Sequence, residues 1–160
     1  MGREVRRVPA DWQHPKDDDG DFIPLLVGDV EQLRREWDEG ERKWAEGLVS
    51  KYDGGWEPRP ADCRCYSDWA GRRPDPASYM PVFPDGTATH LMMYETTTEG
   101  TPISPALATP EELARWLVDN KASAFGGQTA SYEGWLRVCN GGYAPSAVMD
   151  ARGLRSGVDL

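Results

Sequence analysis

The chain has 160 residues, 28% charged and 10% aromatic, with a formal net charge of -9 and a pI near 4.7. The length suits a single domain over 1–160 with a real core, and seven tryptophans spread from Trp12 to Trp135 exclude full disorder. The acid excess excludes non-specific nucleic-acid binding, which rests on a basic face, and the lack of a long apolar run excludes a helical membrane span.

Taken in order, residues 1–28 read as short strands. Val5 and Val8 alternate with charged neighbours, and Phe22 to Leu26 follow an Asp19-Gly20 turn. Arg3, Arg6 and Arg7 are expected on a solvated strand face. The run Asp17 to Asp21 invites a calcium reading, but with Gly20 at the sixth loop position Pro15 and Leu26 occupy the first and twelfth, where carboxylates are required. Asp29 then caps a helix with Gln32 completing a capping box, and Val30, Leu33, Trp37, Trp44 and Leu48 form its apolar stripe, weakened by Gly40 and Gly47.

Residues 50–86 resist assignment: prolines and glycines break every long element, while Trp56, Tyr66, Trp69, Tyr79 and Phe83 supply rings. An ordered aromatic wrap that offers a binding surface is the expectation. Thr87 to Glu95 reads as a central strand, with Leu91 and Met93 on one side and His90, Met92 and Tyr94 on the other. Thr96 to Gly100 turns the chain, and Pro102 and Pro105 keep 101–108 extended. Thr109, Pro110 and Glu112 then start a second helix that buries Leu113, Trp116 and Leu117. Thr129 or Ser131 caps a third, ended by Asn140-Gly141-Gly142. The tail reads as a hairpin turning through 150–153. The fold class is therefore α+β: about three helices on a small, mainly antiparallel sheet, with a long irregular segment.

Chemistry is weakly signalled. The hydroxyls of Thr96, Thr97, Thr98, Thr101 and Ser104 sit beside Glu95 and Glu99, but a nucleophile needs a base within reach. His90 precedes Thr96 on the same strand by about 20 Å at ~3.3 Å per residue. Glu95 and Glu99 are the remaining catalytic candidates, as an acid/base pair. Cys63, Cys65, Cys139 and His90 have the ligand types for zinc but not the spacing. Gly126, Gly127, Thr129 and Ser131 lack a phosphate-loop motif around them. No metal and no cofactor is expected, and the odd cysteine number, with Cys63 and Cys65 one residue apart, fits reduced thiols in a cytoplasm.

The segments Arg6-Arg7-Val8-Pro9, His14-Pro15-Lys16, Tyr94 to Ser104, Pro110 to Leu117, Ser123 to Gly126 and Ala144 to Ala147 together resemble a family of small uncharacterised accessory proteins encoded in bacteriophages, prophages and other mobile elements. The resemblance covers most of the chain and is thinnest over 50–75. It brings no catalytic residues with it. It implies expression inside an infected bacterium, where small acidic phage proteins of the anti-restriction and anti-CRISPR kind block host nucleic-acid-handling machinery. The expected function is protein binding, as an acidic inhibitor of a host defence complex. Glu36, Glu39 and Glu46 would meet a basic surface on a host protein or protein–nucleic-acid complex, with Trp56 and Trp69 as anchors. The alternatives are a small enzyme or ligand binder at the Glu95–Ser104 turn and a virion structural or assembly protein.

Overall fold

The computed structural model describes residues 2–150 and 153–159. In chain order these form β1 (Gly2–Val8), α1 (Val30–Ala45), β2 (Leu48–Ser50), β3 (Trp56–Pro58), α2 (Tyr66–Ala70), β4 (His90–Glu95), β5 (Thr101–Pro102), α3 (Pro110–Asp119), α4 (Tyr132–Gly141), β6 (Tyr143–Pro145), β7 (Ala147–Asp150) and β8 (Gly153–Ser156). Helices and small antiparallel sheets are mixed along the chain, so the fold class is α+β as the pattern predicts. Among the described residues no helix is long and apolar enough to cross a membrane. The elements gather into two compact units, one from Val27 to Met80 and one from the segments on either side of it.

The first unit is a four-stranded sheet of order β5-β4-β1-β6, antiparallel throughout. The alternation of β4 places Leu91 and Met93 against α3 and α4, where they join Leu113, Leu117, Trp135, Val138 and Val158 in the main core. Met92 and Tyr94, both also buried, take the opposite face. β4 is thus central and covered on both sides, as its two apolar faces require. β1 lies between β4 and β6, with Arg3 opposite Glu95 and Val8 opposite His90.

Of the three N-terminal arginines expected on a solvated face, Arg7 is exposed, whereas Arg3 and Arg6 are buried. Arg6 lies 4.2 Å from the centre of the Tyr94 ring and donates to Leu25 O at 2.6 Å and to Glu4 Oε2 at 2.9 Å. A buried guanidinium has to be paired in this way, because an unmatched charge out of water is strongly destabilising. The same face carries a hydrogen-bond chain. Trp12 Nε1 donates to Tyr94 Oη at 3.4 Å, the Tyr94 hydroxyl meets His14 Nδ1 at 3.2 Å, and His14 Nε2 meets Ile23 O at 2.7 Å. Because a carbonyl only accepts, His14 carries its proton on Nε2 and receives at Nδ1. Burial, with the Arg6 charge adding to it against the Ile23 hydrogen bond, holds the His14 pKa below its usual value.

The helix starts follow their sequence signals. Thr109 Oγ1 accepts from Glu112 N at 3.1 Å, while the Glu112 carboxylate reaches back one residue further than a standard capping box, to Ala108 N at 3.1 Å. Of the two hydroxyls available to α4, Ser131 is the cap, and its own hydroxyl donates to Asp159 Oδ1 at 2.8 Å. β7 and β8 pair as the expected hairpin, whose turn at 151–152 lies outside the described residues.

The second unit is α1, the β2–β3 hairpin and α2. Asp29 caps α1 by accepting from Gln32 N at 2.9 Å. The helix stops at Ala45, short of the expected Leu48, because Gly47 takes a left-handed φ of 86° and turns the chain into β2. Residues 50–86 hold β3, α2 and a 3-10 turn at Pro76–Ser78, all shorter than the sequence pattern can resolve.

Candidate functional site

Within the second unit a cleft of about 500 Å³ opens along α1. Its construction begins at Gly40, which is buried in α1; a Cβ there would fall on the hydroxyl and Cζ of Tyr66. The bare helix surface at this turn lets Tyr66 lie against the backbone, edge-on to Trp37 at 5.1 Å between ring centres and tilted to Trp44 at 6.1 Å. Four hydrogen bonds hold the returning chain to the helix: Trp37 Nε1 to Gly71 O at 3.0 Å, Arg34 Nη1 to Pro74 O at 3.0 Å, and the bidentate pair from Arg73 to Asp38 at 2.6 and 2.7 Å. The Arg73 hydrogen bond is the main reason the Asp38 carboxyl sits below its usual pKa.

Glu36, Glu39, Trp37, Trp56, Tyr66 and Arg72 line this cleft. The structure therefore brings together Glu36, Glu39 and Trp56 of the residues singled out from the sequence. Glu36 accepts from Gln32 Nε2 at 2.8 Å and Glu39 stands 3.8 Å from Arg42. Both carboxylates are at exposed positions, leaving further acceptor capacity. Glu46 is elsewhere, at the end of α1, where Lys43 and Arg42 each hold it at 2.7 Å and the Lys43 hydrogen bond lowers its pKa most. Trp69 is 45% exposed on α2 and does not line the cleft. Trp37 and Tyr66 also line the cleft; the sequence put Trp37 in the apolar helix stripe and Tyr66 in the aromatic wrap expected to offer a binding surface, without singling out either as a site residue. The signal for them was Gly40, one turn from Trp37 on the same helix.

Rings and carboxylates in one recess suit a cation. An ammonium or guanidinium over an aromatic face gains roughly 0.5 to 2 kcal/mol, and a charge-assisted hydrogen bond to a carboxylate adds to that. Two of the unit's own cations already use its rings: Lys43 lies 5.7 Å from the Trp56 ring and Arg59 5.0 Å from that of Trp44. No histidine or cysteine is among the residues that line the recess.

The Glu95–Ser104 turn is put together differently. Glu95 is bound to Arg3 at 2.8 Å across the β1–β4 pair. Glu99 is exposed, in the left-handed region at φ 60°. Thr96 Oγ1 accepts from Gly2 N at 2.6 Å, Thr98 Oγ1 donates to Glu95 O at 3.1 Å and shares a hydrogen with Thr101, and Ser104 Oγ accepts from Met93 N at 2.8 Å. These hydroxyls satisfy backbone and one another. Neither glutamate lines a described pocket.

Cys139 is buried in the first unit's core, where burial, with Glu111 adding, pushes its thiol up to about 12. Among the described residues no three side chains of histidine, cysteine, aspartate or glutamate stand together as a metal set. Comparison of the chain with protein-family models, with curated proteins and with solved structures found no match.

Proposed function

We propose that the chain is a phage or mobile-element accessory protein that acts by protein binding, and that the cleft along α1 is where it grips its partner. The observation that carries this reading is the convergence of the Glu36 and Glu39 carboxylates with the rings of Trp37, Trp56 and Tyr66 in one recess. A projecting arginine or lysine fits it, stacked on a ring and held by a carboxylate. The partner is then a host protein or protein–nucleic-acid complex with a basic surface, met in the host cytoplasm, and the consequence of binding is inhibition of a host defence complex. The net charge of -9 supports such a partner through electrostatic steering, and the resemblance to mobile-element proteins supports the setting.

Affinity purification from expressing bacteria tests this, with wild type beside the double variant Glu36→Lys/Glu39→Lys and the single variant Trp56→Ala. Wild type should recover a defined basic partner, and both variants should bind it at least tenfold more weakly, about 1.4 kcal/mol. Retention of that partner by the charge-reversed variant would exclude the cleft. Recovery of no partner, together with unchanged restriction and CRISPR interference, would exclude the inhibitor.

A further inference from the structure

The first unit contains a second recess that the protein-binding reading does not use. It measures about 810 Å³, within the ~300–1,000 Å³ of small-molecule sites, and its walls are chiefly Trp12, Phe22, Met92, Ile103 and Trp116. From this pocket we infer that the chain binds a small, flat, apolar molecule carrying one acidic group, its rings among these side chains and its acid on Lys16.

Three observations support the assignment. The rings are already set in place: Trp12 is edge-on to Phe83 at 5.1 Å and to His14 at 6.3 Å, and His14 is edge-on to Phe22 at 5.6 Å. A ligand therefore enters a site with little left to order, which favours affinity. Next, the polar groups of the lining are largely occupied. His14 has both nitrogens engaged, by Tyr94 and Ile23, and Ser104 Oγ accepts from Met93 N and donates to Pro105 O at 2.9 Å. With so few hydrogen bonds on offer, the body of the ligand is apolar and sheds water without leaving polar atoms unpaired.

The third observation concerns charge. Lys16 is the one lysine, arginine, aspartate or glutamate in the lining. Its ammonium sits 4.6 Å from the centre of the Phe22 ring at the pocket wall and makes no ion pair with any described residue. Asp17, Asp18, Asp19 and Asp21 follow it in the chain, but none lines the pocket. All four are exposed, so water and salt screen them over roughly 8 Å. A carboxylate placed against Lys16 makes a short-range contact that the turn cannot match, whereas a cationic ligand would meet Lys16 as a like charge.

The test is calorimetric titration of the whole protein with 2-naphthoate, its neutral counterpart 2-naphthamide and the cation 2-naphthylmethylammonium. Wild type should bind naphthoate saturably at one site, with naphthamide roughly fivefold weaker and the cation weaker still. In Lys16→Met, at an exposed position, naphthoate and naphthamide should bind alike. Ala106→Trp should fill the pocket and abolish binding of both, and the exposed Phe22→Ala should weaken both if Ala106→Trp fails to fold. The inference is overturned if naphthoate does not saturate, if binding survives both pocket variants, or if the neutral or cationic probe binds wild type as tightly. Partner capture through the α1 cleft is unaffected by Lys16→Met, so either proposal can fail alone.

Discussion

Replacing Gly40 by alanine should destabilise the second unit, although the same change in an exposed helix interior stabilises by about 1 kcal/mol. The sign reverses because the added methyl falls on the Tyr66 ring end. Either the helix and ring strain apart, at the roughly 1 to 3 kcal/mol typical of overpacking, or Tyr66 leaves its seat and forfeits the Trp37 edge contact, about 0.5 to 1.5 kcal/mol, together with part of its burial. Net of the helix gain, a loss of up to about 2 kcal/mol is expected. Amide hydrogen exchange of α1 reads it, since exchange reports the unit that opens and not the chain average. The control is Tyr66→Ala: in that background Gly40→Ala should stabilise by about 1 kcal/mol, giving a coupling of roughly 1 to 3 kcal/mol, above the ~0.5 kcal/mol scatter of independent sites. Increased protection in the single variant, or additivity in the cycle, would refute the seating of Tyr66 and with it this construction of the cleft.

Three further outcomes turn on the buried groups Arg3, His14 and Cys139. Glu95→Gln should lower stability to urea by about 2 kcal/mol, less than a fully buried pair because Glu95 is 27% exposed and Arg3 keeps its hydrogen bond to Ser123 O; Arg3→Met/Glu95→Gln should recover most of the loss. His14 has a folded pKa below its unfolded value, so the unfolded chain binds the proton first as pH falls; the associated stability is complete above about pH 6.5 and is lost as pH drops through the folded value. NMR titration of its ring should show a midpoint below 6.5, and a midpoint above it would contradict the burial of His14 beside Arg6. Finally, a disulfide reagent at pH 8 should modify exposed Cys65 rapidly, while Cys139, buried and raised to about 12, should react only on unfolding.

What could be read from the sequence was local. Asp29, Thr109 and Ser131 are caps whose bonds span three residues, so their positions follow from nearby chemistry alone. The double-faced apolar pattern of β4 likewise predicts a covered central strand. What escaped depends on distant partners. The β2–β3 hairpin has three-residue strands, one ending in Pro58, that carry no period to detect. Gly40 looks like a weak point in a helix until Tyr66 is placed upon it, and Arg3 and Arg6 look solvated until Glu95, Ser123 and Leu25 arrive from elsewhere in the chain. The aromatic pocket draws Trp12, Phe22, Met92 and Trp116 from widely separated segments, so no window of sequence contains it.

The placement of β1 bears on the order in which the protein comes together as it is made. β1 is synthesised before the other described elements, yet its neighbours in the sheet are β4, at 90–95, and β6, at 143–145. Until those strands are synthesised both of its edges are open and Arg3 lacks Glu95. The Val27–Met80 unit, by contrast, has all its own elements by Met80. Synthesis should therefore proceed through a stage with the α1 cleft built and the β1 edges still unpaired, the kind of exposed strand that chaperones protect and that aggregates at high expression.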